Sequence, residues 1–266
     1  MELICPLCGE PLTREDRACR CPNRHSFDIA RQGYVNLLTV QQKHSRNPGD
    51  TREQVAARRA FLNTGHYQPI VDTLIQTATE LNCGGTLLDV GCGEGYYSAQ
   101  LATSRDMELL GLDISKEAVR YAAGAHKNAT WVCATASKLP VKKGSVDLLT
   151  SLFALTLPEE FHRVLKNEGY YFQVLAAQDH LLGLKNIIYP ELKLREKDSV
   201  PELPSFQLVR SIPIRFTFTV EGEQVQQLLS MTPHVYRITK AGAQALAQTQ
   251  RLTDTASCLL NVYRPV

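Results

Sequence analysis

Four side chains near the amino terminus have the types and spacing of a metal site. Cys5, Cys8, Cys21 and His25 read C-x2-C-x12-C-x3-H, two close pairs joined by a loop long enough to bring the second pair back to the first. Thiolate and imidazole ligands in that pattern suit tetrahedral zinc, and four protein ligands leave no open coordination position, so the expected role is structural. Cys19 competes with Cys21 as third ligand, but Cys21 and His25 make the better short loop. The other cysteines, Cys83, Cys92, Cys133 and Cys258, are scattered and read as small core residues.

A second constellation begins at Leu87-Leu88-Asp89-Val90-Gly91-Cys92-Gly93-Glu94-Gly95-Tyr96-Tyr97. An apolar strand ending in an acid, Asp89, runs into G-x-G-x-G and then a helix. Gly91, Gly93 and Gly95 are expected to allow a tight turn and the approach of a ligand to the backbone. At the end of the next predicted strand stands Asp113, in Gly111-Leu112-Asp113-Ile114-Ser115, placed to accept hydrogen bonds from both hydroxyls of a ribose.

These residues need elements to hold them. Asp50 or Thr51 can cap a helix from Glu53 to Phe61, and a second helix over Tyr67 to Leu81 carries Ile70, Val71, Leu74, Ile75 and Ala78 on one face. After Gly84-Gly85, apolar runs at 86–90, 109–112, 130–133, 146–153 and 170–176 alternate with helical stretches, which predicts an α/β fold with a parallel, doubly wound, Rossmann-like sheet. The tail adds strands at 214–220 and 258–263 and helices near 221–231 and 240–249. The expected organisation is a zinc-binding module over 1–34, a connector and packing helices over 35–83, and the main domain over 84–266. The polar stretch 41–50 reads as a mobile or ligand-ordered loop.

Composition sets the outer limits. With 266 residues, 44% of them hydrophobic and 21% charged, the chain can bury a core and is neither fibrous nor disordered. Its 29 basic against 27 acidic residues leave a net charge of +2, so any nucleic-acid surface must be local. No uncharged apolar run reaches the ~18 residues of a membrane span, and the start lacks a basic region followed by an apolar core. A cytoplasmic protein is the expectation.

The compact G-x-G-x-G and the acid-bearing strand differ from the G-x-G-x-x-G of dinucleotide binders, and here the sequence resembles the S-adenosylmethionine-dependent methyltransferases. Ala136-Ser137-Lys138-Leu139-Pro140, Val146-Asp147-Leu148-Leu149 and Arg163-Val164-Leu165-Lys166-Asn167-Glu168-Gly169 match that family's adenine-side loop, fourth strand and the turn before its fifth. The whole chain resembles the bacterial 23S ribosomal RNA guanine-N1-methyltransferases. The resemblance rests on the two cysteine knuckles, Gln32-Gly33-Tyr34-Val35-Asn36-Leu37-Leu38, Pro48-Gly49-Asp50, Ala57-Arg58-Arg59-Ala60-Phe61-Leu62, Gly65-His66-Tyr67 and the glycine loop, in one order. It implies S-adenosylmethionine as cofactor, with Tyr67, Asp89, the Gly93-Glu94 turn and His180 among its contacts, 23S ribosomal RNA as partner, and a homodimer.

After the fourth strand the family has an aromatic-Ala-Pro turn bordering the acceptor base. This chain has Phe153 and Ala154, but Leu155 replaces the proline. For methyl transfer to guanine N1 the protein must mainly hold the base in line and exclude water, and no spacing singles out a general base. Candidate phosphate contacts are Arg14, Arg17, Arg20, Arg24 and Arg31 in the module, Lys43, His44 and Arg46 in the connector, and Arg58 and Arg59 on the next helix. Two other readings stay open: a small-molecule or protein methyltransferase, and a catalytically silent RNA- or ribosome-binding protein of the same fold.

Overall fold

The computed structural model describes residues 1–42, 48–192 and 198–266. Lys43, His44 and Arg46, three of the candidate phosphate contacts, lie outside the described residues.

The amino-terminal module is a three-stranded antiparallel sheet, β1 (Thr13–Glu15), β2 (Ala18–Arg20) and β3 (Ser26–Asp28). It is too small to bury much. Its knuckle backbone is tied to the larger unit instead: Leu3 bridges Val141, the Ile4 N–H donates to the Pro140 carbonyl at 3.0 Å, and Lys138 Nζ donates to the Pro6 carbonyl at 2.8 Å. Cys19 takes part in this seam, buried with Leu3, Val35, Leu139 and Val141 in one apolar cluster. The short strand β4 (Val35–Asn36) then joins the edge of the large sheet.

The helix α1 (Arg52–Leu62) starts where the sequence predicts. Thr51 Oγ1 accepts from the Gln54 N–H while Gln54 Oε1 accepts from the Thr51 N–H, a reciprocal capping box that chooses Thr51 over Asp50 as cap. Next come α2 (Gln68–Glu80), β5 (Thr86–Val90), α3 (Tyr96–Arg105), β6 (Glu108–Asp113), α4 (Lys116–Ala125), β7 (Thr130–Cys133), β8 (Val146–Leu152), α5 (Pro158–Val164) and β9 (Leu165–Ala176). The carboxyl-terminal part holds α6 (Leu182–Ile188), β10 (Phe206–Glu221), α7 (Glu223–Ser230), α8 (Lys240–Gln248) and β11 (Arg251–Pro265).

The large sheet runs β10-β11-β9-β8-β5-β6-β7-β4. Strands β4 to β9 are parallel, and the chain leaves β5 toward β6 on one side and returns to β8 on the other. Such a reversal of strand order opens a crevice at the carboxyl ends of the strands, where open α/β sheets bind ligands. The tail strands depart from the parallel expectation. β10 and β11 pair antiparallel over nearly their whole lengths, and at 16 and 15 residues they are more than twice as long as the apolar runs predict. Their exposed positions carry polar residues in alternation with core residues such as Ile214 and Phe218, so only the buried stretch stands out in a sequence.

Candidate functional site

The four metal-ligand candidates converge. The ligand atoms of Cys5, Cys8, Cys21 and His25 all lie within 4.8 Å of one another. Cys5 Sγ and Cys21 Sγ are each 3.4 Å from His25 Nδ1, and Cys8 Sγ is 3.6 Å from Cys21 Sγ. A tetrahedron with Zn–S of about 2.3 Å and Zn–N of about 2.0 Å has edges of about 3.5 to 3.8 Å, so the donor set fits zinc. The Glu10 backbone N–H facing Cys8 pulls that thiol down to about 6, in the range where a thiolate is present to bind a metal. Burial raises the Cys19 thiol, as for a neutral core residue.

A cavity of about 1040 Å³ opens at the strand crossover. Asp89, Gly91, Gly93 and Glu94 from the end of β5, Phe153 and Ala154 after β8, and His180 after β9 line it, together with Tyr67 ahead of α2. Of the remaining predicted residues, Gly95, Asp113 and Leu155 support the lining without being part of it. Gly95 has φ +84°, and a Cβ there would lie 2.4 Å from the Trp131 ring, so this glycine serves the packing of α3 on the sheet. Gly91 is pressed against Ala154 Cβ in the same way. Gly93 is the one whose missing side chain leaves room on the cavity side, where the nearest atom to an added Cβ is Arg58 Cδ at 4.0 Å. Gly91 and Gly93 both line the cavity, whereas Gly95 lies outside the lining and gives way to the Trp131 ring.

Asp113 is held tightly. Its Oδ2 accepts from the Gly93 N–H at 2.9 Å and its Oδ1 from the Ser115 N–H at 2.8 Å, and burial raises its carboxyl pKa above the usual range. Both oxygens keep a second lone pair, the two acceptors a ribose diol requires. Asp89 accepts from Thr150 Oγ1 at 2.8 Å, and burial pushes it up to about 6. Glu94 is pushed up to about 7 by burial, against the opposing pull of Arg58 and Arg59.

Two buried polar atoms in the lining, Tyr67 Oη and Glu94 Oε2, have no hydrogen-bond partner among the described residues. Unpaired buried polar groups cost about 1 to 3 kcal/mol each and call for a ligand or water. Around Tyr67 the packing is aromatic, with Phe61, Phe216 and Phe218 at ring distances of 5.2 to 5.8 Å. A polar, ribose-bearing and partly cationic ligand such as S-adenosylmethionine fits these features: acceptors for a diol, ionisable carboxyls for positive charge, and an apolar, aromatic floor.

His180 is no solvated helix-start residue. Its Nδ1 lies 3.1 Å from both the N and the O of Ser257 on β11, and its ring centroid is 6.0 Å from that of Phe153. Phe153 itself sits at φ +54°, which is rare for an aromatic residue and costs about 1 to 2 kcal/mol. Its N–H is fixed to the Val174 carbonyl at 2.9 Å, and the strained turn leaves the ring 39% exposed in the cavity wall. Leu155 lies outside the lining, 57% exposed, with its carbonyl accepting from Ser151 Oγ.

The sequence missed part of the wall. Ser230 to His234, Tyr236 and Arg237 also line the cavity, with Tyr189 Oη 2.8 Å from His234 Nδ1 and Gln54 Nε2 donating to Tyr236 Oη at 2.6 Å. No local pattern marks this segment. Arg58, read from sequence as a phosphate contact, is also in the lining, whereas Arg14, Arg17, Arg20, Arg24, Arg31 and Arg59 remain at the surface.

Comparison with known proteins agrees with this geometry. Residues 3–46 match the zinc-ribbon family described as "RlmA, N-terminal", and residues 88–173 match a methyltransferase domain family. The chain is 37% identical to the 23S rRNA (guanine(748)-N(1))-methyltransferase of Streptomyces fradiae over 87% of its own length and 84% of the relative's. It is 35% identical over 99% of its length and 97% of the relative's to a provisionally named 23S rRNA guanine-N1-methyltransferase of Micromonospora griseorubida. A methyltransferase structure from Anaeromyxobacter dehalogenans covers 74% of the chain and 94% of its own at 16% identity and a TM-score of 0.49. With a zinc ribbon, an S-adenosylmethionine-type crevice and this identity over nearly its full length, the chain belongs to the 23S rRNA (guanine-N1)-methyltransferase family.

Proposed function

We propose that the protein transfers a methyl group to N1 of a guanine in a hairpin of 23S ribosomal RNA, in the cytoplasm, with the zinc module contributing to RNA recognition. The observation that carries this reading is the continuity of one cavity from the glycine loop past Phe153 and His180 to the Ser230–Arg237 wall. Its volume, about 1040 Å³, is at the upper end of the range for ligand pockets and suits a cofactor together with one extruded base. S-adenosylmethionine supplies an electrophilic methyl sulfonium. The protein's part is positioning: Asp113 and the glycine loop hold the ribose end, and Phe153 and Ala154 border the acceptor base.

Guanine N1 bears a proton that leaves on transfer, so the base must be oriented with N1 toward the sulfonium and kept from water. The Phe153–His180 ring pair offers an apolar face for it, and Lys185 and Arg237 at the rim offer positive charge to the flanking phosphates. The domain division that supports this reading is a zinc module over 1–34, a connector with packing helices over 35–83, and the methyltransferase domain over 84–266. The Leu3–Val141 and Pro6–Lys138 contacts give the module a fixed position relative to the cavity. Mass spectrometry of 23S rRNA nucleosides from cells with and without the gene tests the proposal. Loss of 1-methylguanosine at one position on deletion is the expected result, and an unchanged nucleoside profile overturns it.

A further inference from the structure

Arg58 stands in an unexpected place. It is on α1, well ahead of the glycine loop in the sequence, yet it is part of the cavity lining and its Cδ is the nearest atom, at 4.0 Å, to a Cβ added at Gly93. Its side chain is 30% exposed, and among the described residues its one ion-pair partner is Asp50, through Nη2 and Oδ2 at 2.6 Å. Asp50 is itself pinned, because its carbonyl accepts from Ser115 Oγ at 2.8 Å, and Gly49 packs so closely on Ser115 that an added Cβ would lie 2.8 Å from that backbone. The Pro48-Gly49-Asp50 segment is thus a fixed strut that orients Arg58. A guanidinium has five N–H donors, and Asp50 Oδ2 uses one.

Glu94, the residue after Gly93, lines the same cavity, with Oε2 buried and unpartnered among the described residues. A fixed guanidinium and a buried, unsatisfied carboxylate at one end of a cavity are the complement of a zwitterion. An α-amino acid group presents a carboxylate that takes two parallel guanidinium N–H bonds and an ammonium that takes a carboxylate oxygen. The electrostatic coupling of Arg58 to the Glu94 carboxyl agrees with their sharing one ligand end. By contrast, an RNA phosphate contact favours the rim, where Arg59 is exposed and stacked over the Tyr121 ring at 5.7 Å.

We propose that Arg58 and Glu94 clamp the amino-acid end of S-adenosylmethionine, Arg58 binding its carboxylate and Glu94 its ammonium, with Asp50 as the positioning residue for Arg58. The proposal deepens the reading of this cavity as the cofactor site and is independent of which RNA is modified.

Calorimetric titration of the full chain with three ligands tests it: S-adenosylmethionine, its decarboxylated form, which keeps the ammonium, and 5′-methylthioadenosine, which lacks the amino-acid end. Arg58→Ala is expected to weaken S-adenosylmethionine at least tenfold while leaving the other two within about twofold, and Glu94→Gln to weaken the first two and spare the third. Arg58→Gln, which keeps the stem near Gly93, replaces the alanine variant if that fails to fold, and Asp50→Asn is expected to show a smaller loss with the same ligand pattern. Equal losses for all three ligands would mean that Arg58 only holds the loop, and would overturn the proposal. Unchanged S-adenosylmethionine binding with weakened binding of a 23S rRNA hairpin would overturn it in favour of a phosphate contact. Wild-type protein that binds none of the three would remove the cofactor site itself, a failure distinct from either.

Discussion

Asp113 Oδ2 accepts the Gly93 N–H at 2.9 Å, so the acid at the end of β6 fixes the middle of the glycine loop that follows β5. One side chain therefore sets the loop conformation and, in the proposed cofactor site, stands at the ribose end. Asp113→Ala removes a charge-assisted hydrogen bond to the ligand, worth about 1.5 to 3 kcal/mol, as well as the loop anchor. The expected result is at least a tenfold weaker S-adenosylmethionine affinity in a calorimetric titration. Unchanged affinity in folded protein would remove Asp113 from the site.

One zinc per chain is expected in purified protein by metal analysis. Cys21→Ser should lose it and Cys19→Ser should retain it, since Cys19 is buried in the seam with Leu3 and Leu139, away from the ligand cluster. A chelator should loosen the module while β5 to β9 stay folded, which hydrogen exchange can follow. Folded protein with no zinc would sink the assignment.

The Glu94 carboxyl predicts a pH signature. Burial pushes it up to about 7, so between the unfolded value near 4.3 and about 7 the folded protein without ligand holds a proton that the unfolded chain has released. Its contribution to stability is thus unfavourable at the high end, on the order of 3 kcal/mol once pH passes 7. Glu94→Gln should gain stability relative to wild type as pH rises from about 5 to about 7.5, read as a widening difference in Tm. Asp89, pushed to about 6, stays in both proteins and cancels in that difference. A constant Tm difference across the range would contradict this account.

Gly95→Ala and Gly93→Ala should part company. At Gly95 the added methyl meets the Trp131 ring at 2.4 Å with φ +84°, so the loss should appear in stability, about 1 to 3 kcal/mol. At Gly93, φ +55° also strains an alanine, by about 1 kcal/mol, but the space is open apart from Arg58 Cδ at 4.0 Å, so the methyl should in addition obstruct the ligand. Melting curves and titrations on both variants check this; a loss at Gly93 with ligand affinity unchanged would refute the division.

Phe153→Ala should lower turnover on ribosomal RNA by about 10- to 100-fold through lost positioning of the base, with cofactor affinity altered less than about threefold. Leu155→Pro should also change turnover but not cofactor affinity, because Leu155 lies outside the lining and acts through the backbone of the Phe153 turn. A change in cofactor affinity as large as the change in turnover would argue against that route.

Much of this protein was readable as text. Cys5, Cys8, Cys21 and His25 span 21 residues and β5 runs into its glycine loop without a break, so short-range chain geometry is enough to place those groups together. The helix bounds followed for the same reason: Thr51 and Gln54 close a capping box three residues apart. Family motifs supplied Tyr67 and His180, which local pattern would have left as packing and surface residues. Tertiary structure decided what depends on distant partners. Gly95 is a glycine because of Trp131, 36 positions later in the chain and brought against it when α3 packs on the sheet. The Ser230–Arg237 wall reaches the cavity only because the long antiparallel β10 and β11 carry the segment between them back over the strand ends. Arg58 changes from a surface cation to a cavity residue because Ser115 holds the Asp50 strut. Such contacts are set by packing between elements, and one arginine in a helix sequence looks the same whether its guanidinium meets solvent or a ligand.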